Sequence, residues 1–124
     1  MSTLITEVQD GILFILDPGN SDAVVPKYMD DHVVSSTDTC ISISTQPSCD
    51  GETKVSISSD DLPTHLYKVF EGKIALPSKA AALVTSDFNR LFELELKSDI
   101  ALVTVFVDDL ISPSDILVVM KEWK

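Results

Sequence analysis

The chain has 124 residues, and its 20 Asp and Glu against 9 Lys and Arg give a formal net charge of −11. This is the length of one domain, so we expect residues 1–124 to form a single folded unit. A surface this acidic repels phosphate backbones, which argues against DNA or RNA as a direct ligand. It favours fast, electrostatically steered encounter with a basic protein, although acidity also serves solubility alone.

The amino-terminal sequence and the cysteines predict a cytoplasmic protein that does not cross a membrane. The first residues have no basic n-region, and their apolar run is too short for a signal peptide. No apolar run approaches the ~20 residues of a membrane helix. Cys40 and Cys49 are able to pair in an oxidising compartment, but in a reducing cytosol both are expected as thiols. Neither has a second ligand at metal-binding spacing, so we expect no metal and no cofactor.

The first half of the chain predicts four strands, the last two of which form a hairpin. Leu4–Val8 and Ile12–Leu16 are separated by Asp10-Gly11, a pair that favours a tight reversal. Ile12–Leu16 is apolar throughout, which predicts burial on both faces. Cys40–Ser44 and Lys54–Ser58 alternate between apolar residues and serines, so we expect a hairpin with an inward apolar face and a solvated serine face.

The stretch from Lys68 to Asp109 has an apolar period of two and predicts the core of a sheet. A short strand over residues 71–77 ends at a proline, which cannot donate to the ladder. Leu91–Leu96 alternates with acidic residues and predicts a surface strand with an acidic outer stripe. Ile100–Val107 is apolar on both faces, as in a central strand of a two-layer fold.

Three segments leave the choice between helix and strand open: 64–70, 78–84 and 115–123. The alanines of 78–84 have high helix propensity, but a helix there would be very short. We expect a short turn or an extended link at 78–84, with a strand over Ala82–Thr85 as the alternative. For 115–123 the Ile-Leu-Val-Val run favours a strand.

Many short strands spaced by turn signals predict an all-β fold. The arrangement that suits this pattern is a two-layer antiparallel β-sandwich with at most one or two short helices.

The order of these pieces resembles the bacterial DNA-entry nuclease inhibitors, the competence protein J family. The similar pieces include Cys40-Ile-Ser-Ile-Ser44 and Lys54-Val-Ser-Ile-Ser58, then Gly72-Lys-Ile-Ala-Leu-Pro77, and then Phe92-Glu-Leu-Glu-Leu96 leading into Ile100–Val107. The resemblance implies a small acidic β-sandwich that binds and blocks a nuclease.

No pattern in the chain points to an enzyme. Asp30-Asp31-His32 lies in the weakly patterned stretch 23–38, which predicts mostly loop, and it has no further ligand or proton-transfer partner nearby in sequence. We interpret it as a solvated loop. His65 stands between apolar residues and has no triad partner nearby, although such partners can meet in space.

The leading hypothesis is an inhibitor or immunity protein of a basic nuclease or toxin, whose carboxylates replace the phosphates of the substrate. The candidate partner-binding residues are acids at loop tips and on one strand face: Asp60, Asp61, Glu93, Glu95, Asp108 and Asp109. For each cluster the competing interpretation is a solvated turn. The alternative function is a non-catalytic structural or ligand-binding module, with Tyr28, Tyr67 and Trp123 lining a pocket or packed in the core. The sequence leaves the oligomeric state open.

Overall fold

The computed structural model describes residues 2–27, 32–60 and 64–123. Within these ranges the chain forms ten strands in two five-stranded sheets, together with a 3₁₀ turn at Ser48–Asp50. Sheet A contains, in spatial order, β1 (Ser2–Thr6), β5 (Thr53–Ser58), β10 (Asp115–Glu122), β9 (Ile100–Val107) and β6 (Tyr67–Ala75). Sheet B contains β3 (Val34–Ser36), β4 (Cys40–Ser44), β2 (Ile12–Leu16), β7 (Ala80–Thr85) and β8 (Arg90–Glu95). The predicted all-β sandwich is confirmed.

The core lies between the two sheets, as period-two patterning requires. On β9 the side chains of Ala101, Val103, Val105 and Val107 are all fully buried, whereas the alternate residues are half-buried. Inward residues of β2 and β4 belong to the same core cluster. A second, smaller cluster around Phe14 and Cys40 lies on the opposite face of sheet B, so β2 is buried on both faces as predicted.

One strand pair differs from the antiparallel arrangement. β5 and β10 are parallel, with Val55 opposite Ile116, while the other described pairs are antiparallel. The two strands lie far apart in sequence and have a neighbour on each side, and β10 is buried on both faces along most of its length. Burial on both faces is typical of parallel pairing.

The tight reversal predicted at Asp10-Gly11 is present, but the strands on its two sides do not pair with each other. The Asp10-Gly11 turn does reverse the chain, with the Gly11 amide donating to the carbonyl of Val8 at 3.0 Å. However, β1 pairs with β5 in sheet A and β2 with β4 and β7 in sheet B. The turn therefore carries the chain from one sheet to the other. Gly11 has φ +66°, and a Cβ there would lie 3.0 Å from the carbonyl oxygen of Thr45.

The hairpin predicted for Cys40–Ser44 and Lys54–Ser58 is wrong, because β4 and β5 belong to opposite sheets. The connection over residues 45–52 is long enough to cross the ~10 Å between packed sheets. The predicted inward faces are correct, since Ile41, Ile43 and Val55 are fully buried. The serine faces are drier than expected: Ser42 and Ser56 are buried, because neighbouring strands cover them on both sides.

All three ambiguous segments contain strands. β6 begins at Tyr67, β10 spans most of 115–123, and β7 begins at Ala80. The turn or link expected at 78–84 is wrong, and the alternative strand is correct. Pairing of β7 between β2 and β8 outweighs the helix propensity of its alanines. None of the described residues forms a helix with the length and apolarity to span a bilayer.

The sandwich has two loop-bearing ends. The Asp10 end comprises the loops 7–11, 45–52, 86–89 and 108–114, which are joined by backbone hydrogen bonds from Thr45 to Gly11 and from Gln46 to Pro113, and by the Ser86 hydroxyl on Asp10. The Asp17 end comprises 17–22, 37–39, 59–60, 76–79 and 96–99, joined by bonds from Leu76 to Asp99 and from Ala75 to Asp38. Trp123, which follows β10, bonds to Ile100 at the start of β9, so β10 ends at the Asp17 end. Because β5 runs parallel to β10, residues 59–60, which follow β5, lie at the Asp17 end too.

Candidate functional site

The structure separates the acids predicted to bind a partner. Asp108 and Asp109 follow β9 at the Asp10 end, whereas Asp60 follows β5 at the Asp17 end. Glu93 and Glu95 are exposed on β8, an edge strand of the other sheet, which confirms the acidic stripe but not its contact with a partner. Asp61 lies outside the described residues. The predicted acids therefore do not form one surface.

Asp108 and Asp109 have a local role that sequence reasoning did not assign. The Asp108 carboxylate accepts the amide of Ser114 at 2.9 Å, its hydroxyl at 2.7 Å and the amide of Asp115 at 3.1 Å. One oxygen of Asp109 accepts the amides of Ile111 at 2.8 Å and Ser112 at 3.0 Å. The two carboxylates thus fix the conformation of the loop between β9 and β10.

These hydrogen bonds also keep both acids ionised. Partial burial alone would raise the pKa of Asp108, but the bonds from Ser114 and Asp115 outweigh it and lower that pKa. The backbone amides of Ser112 and Ile111 lower the pKa of Asp109. Hydrogen bonds to a carboxylate favour its charged form, so the loop carries two negative charges at neutral pH.

The loop between β9 and β10 also exposes two apolar residues, Leu110 and Ile111. We call these two residues the apolar tip. Leu110 is 58% exposed and Ile111 is 87% exposed. The base of the loop is held by backbone hydrogen bonds of 2.8 Å from Gln46 to Pro113 and from Lys54 to Ser114. The tip is therefore an exposed hydrophobic feature on a tied loop.

A cleft of about 390 Å³ lies beside the tip, and we call it the tip cleft. Its walls come from four separate parts of the chain: Asp10 to Ile12, His32 and Val33, then Ser44, Thr45 and Pro47, and finally Leu110 and Ile111. A second cleft of about 300 Å³ shares Asp10 and Ile12 with it and extends towards Glu7 and Asp87. The sequence carried no signal for either cleft, since only the fold brings these segments together.

The Asp10 end is predominantly acidic in the part of the chain that the structure describes. Its carboxylates, on loops and strand ends, are Glu7, Asp10, Asp50, Glu52, Asp87, Asp108, Asp109 and Asp115. The hydroxyl of Thr85 and other local bonds lower the pKa of Asp87. Three cations lie near the starts of strands here: Lys54 is exposed on β5, Lys68 pairs with Glu71 at 3.3 Å, and Arg90 pairs with Glu93 at 2.8 Å. The carboxylates of this end therefore outnumber its cations.

The whole fold matches a protein of known structure. No family model and no curated protein sequence matches this chain. Its structure is similar to the crystal structure of ComJ, inhibitor of the DNA degrading activity of NucA, from Bacillus subtilis, with a TM-score of 0.74. The match covers 99% of this chain and 96% of that chain, at 10% sequence identity. This chain has the fold of ComJ. The resemblance drawn from strand patterns is thereby confirmed for the fold.

The ComJ-like sandwich contains no metal-binding group in its described ranges 2–27, 32–60 and 64–123, where no three His, Cys, Asp or Glu side chains gather suitably. His32 lines the tip cleft and His65 is exposed, while Asp30 and Asp31 lie outside the described residues. ComJ itself is an inhibitor of another protein's DNA-degrading activity.

The two thiols of this ComJ-like chain are both free. Burial raises the pKa of Cys40 to about 11, so this thiol stays protonated and chemically inert at neutral pH. Cys49 is exposed in the middle of the 3₁₀ turn at the Asp10 end.

Proposed function

We propose that this chain is a protein inhibitor that binds a basic nuclease, or a toxin with nuclease activity, and blocks its action on DNA. The observation that carries the proposal is the likeness to ComJ over nearly the full length of both chains. In this role the chain acts as one domain in the cytoplasm, without enzymatic activity of its own and without a cofactor. It binds protein rather than nucleic acid.

The electrostatic character of the chain supports a basic partner. A nuclease active site that holds DNA must attract phosphates, so its surface is rich in Lys, Arg or bound metal ions. A chain with net charge −11 approaches such a surface faster than a neutral protein would. Carboxylates lowered in pKa, such as Asp87, Asp108 and Asp109, remain negative throughout the neutral range.

The direct test is degradation of fluorescently labelled DNA by NucA, and by the DNA-degrading nucleases encoded in the genome that encodes this chain. Each nuclease is titrated with the purified chain at fixed Mg²⁺. We expect at least one nuclease to lose activity at a stoichiometric end point and to co-elute with the chain in size-exclusion chromatography. Raising Mg²⁺ controls for chelation by an acidic protein, because chelation would be reversed and specific binding would not.

Undiminished DNA degradation by all of these nucleases at a large molar excess of the chain, with no co-elution, would overturn the proposal. That result would favour the structural or ligand-binding module instead.

A further inference from the structure

We infer that the basic nuclease docks on the Asp10 end, with Leu110 and Ile111 buried at the centre of the interface. The inference rests on the proposed function and assigns its binding surface. Of the acids predicted to bind a partner, it keeps Asp108 and Asp109, which lie at the Asp10 end. Asp60, Glu93 and Glu95 then lie outside the contact.

Exposure of the tip is the first argument. Ile111 is 87% exposed, and its neighbour Leu110 is more than half exposed. Tyr67 and Phe88, two of the other large exposed side chains, also lie on a strand or loop of the Asp10 end. Adjacent exposed apolar side chains commonly mark a protein contact, because burying them against a partner removes apolar surface from water.

The fixed conformation of the tip is the second argument. Asp109 holds the amides of Ile111 and Ser112, Asp108 holds Ser114, and backbone bonds tie the loop base to β5 and to Gln46. A loop ordered before binding loses little conformational entropy when the partner arrives. The tip therefore suits an anchor that enters a recess of the partner.

Charge around the tip decides the class of partner. An apolar centre surrounded by a charged rim is the usual anatomy of a protein interface. Here the rim carries the carboxylates of Asp10, Asp87, Asp108 and Asp109, and the tip cleft beside it has room for a partner side chain. A basic protein is complementary to this rim, whereas a second copy of this acidic chain would be repelled by it.

The described residues of the Asp17 end do not combine an exposed apolar tip on a fixed loop with a cleft beside it. The carboxylate for which that end is named is 1% exposed and is satisfied by Ser78 and Gly19. The indole of Trp123 is covered on one face by the ammonium of Lys73, 3.8 Å from the ring centroid. Val24 and Val25 are exposed near Thr39, but their loop has no cleft among those described.

The experiment compares two double variants in the nuclease titration. Leu110→Ser with Ile111→Ser removes the apolar tip and keeps the carboxylates that order the loop. Val24→Ser with Val25→Ser is the matched control, because these valines are 59% and 44% exposed at the other end. Since all four side chains are exposed, we expect wild-type circular dichroism and thermal melting for both variants.

If the inference is right, the tip variant weakens inhibition at least ~10-fold, the loss expected for an interface hot spot, and the valine variant stays within ~2-fold. Equal inhibition by both variants would overturn the inference and leave the proposed function intact. Loss of a dimer in light scattering, with inhibition unchanged, would assign the tip to self-association and overturn it equally. If the wild-type chain inhibits no nuclease, the proposed function and this inference fail together.

Discussion

Asp17 and Ser78, which are 61 positions apart in sequence, are joined by a charge-assisted pair of hydrogen bonds. The Asp17 carboxylate, just after β2, accepts the backbone amide of Ser78 at 2.6 Å and also its hydroxyl, while the Gly19 amide donates to it at 2.8 Å. Its side chain is almost fully buried. The contact fastens the loop after β2 to the turn that precedes β7, two neighbouring strands of sheet B.

This contact predicts an acid-sensitive contribution to stability. Burial alone would raise the pKa of Asp17, but the bonds from Ser78 and Gly19 outweigh it and lower that pKa. A folded pKa below the unfolded value of ~3.9 means that the stabilisation is complete above that pH and is lost as the pH falls through the folded pKa. We expect Asp17→Asn to cost about 2 kcal/mol at pH 7, a cost that shrinks below pH ~4.

The measurement for this prediction is urea unfolding of the wild-type chain and the variant between pH 7 and pH 2.5. Asp22→Asn, in the same loop but exposed, is the control and should follow the wild-type curve. A constant difference between wild type and Asp17→Asn across the whole pH range would contradict the assignment.

We expect replacement of Thr53 by valine to stabilise the folded protein. Its side chain is fully buried at the start of β5, and its hydroxyl has no hydrogen-bond partner among the described residues. A buried hydroxyl without a partner costs ~1–3 kcal/mol, and valine has nearly the same shape without this cost. Thr53→Val should therefore raise the free energy of unfolding by about 1 kcal/mol, and Thr53→Ser should lower it. A less stable valine variant in urea unfolding would show that the hydroxyl is satisfied.

At Phe88 we expect glycine to be better tolerated than alanine, the reverse of their usual order of stability. It has φ +62° in the turn between β7 and β8, and its ring stacks on Phe14 with the centroids 6.1 Å apart. Replacement by Ala or Gly removes the same stacking, but only Gly adopts positive φ without steric cost. We expect Phe88→Gly to be the more stable variant by about 1 kcal/mol, whereas Gly is the weaker residue in ordinary strands. Thermal unfolding that ranks Phe88→Ala above Phe88→Gly would show that the turn relaxes.

We expect Asp109 to order the apolar tip, and amide hydrogen exchange measures this effect. Its carboxylate accepts the amides of Ile111 and Ser112, so removing it should speed their exchange with deuterium. Asp109→Ala should have the largest effect, and Asp109→Asn, which keeps one acceptor oxygen, an intermediate one. Amide exchange at Ser114, held by Asp108, is the internal reference. Unchanged exchange at Ile111 in the alanine variant would show that the tip is ordered by other contacts.

The position of most strands was predictable because apolar alternation reports directly on burial. β9 illustrates this, since the strand predicted over Ile100–Val107 has these same bounds in the structure. Partner choice was not predictable for β1 and β2 or for β4 and β5. Alternation specifies which face of a strand is buried, but the same inward face fits either layer of a sandwich.

The candidate site was predictable only in part. Adjacent acids at Asp108-Asp109 marked the loop, but the hydrogen bonds that turn them into supports for Leu110 and Ile111 depend on the loop's backbone path. The tip cleft is formed by four segments that are distant in sequence, so no local sequence pattern predicts it. The opposite positions of Asp60 and Asp108 likewise follow from the parallel pairing of β5 with β10.

In the proposed function, the negative charge of this sandwich attracts a basic nuclease and speeds the formation of the complex. The most direct measurement is the association rate constant between the chain and an inhibited nuclease, determined by stopped-flow fluorescence over increasing NaCl concentration. We expect a rate constant near ~10⁸ M⁻¹s⁻¹ at low salt that falls towards ~10⁵–10⁶ M⁻¹s⁻¹ as the charges are screened. A rate constant that does not change with salt would contradict it.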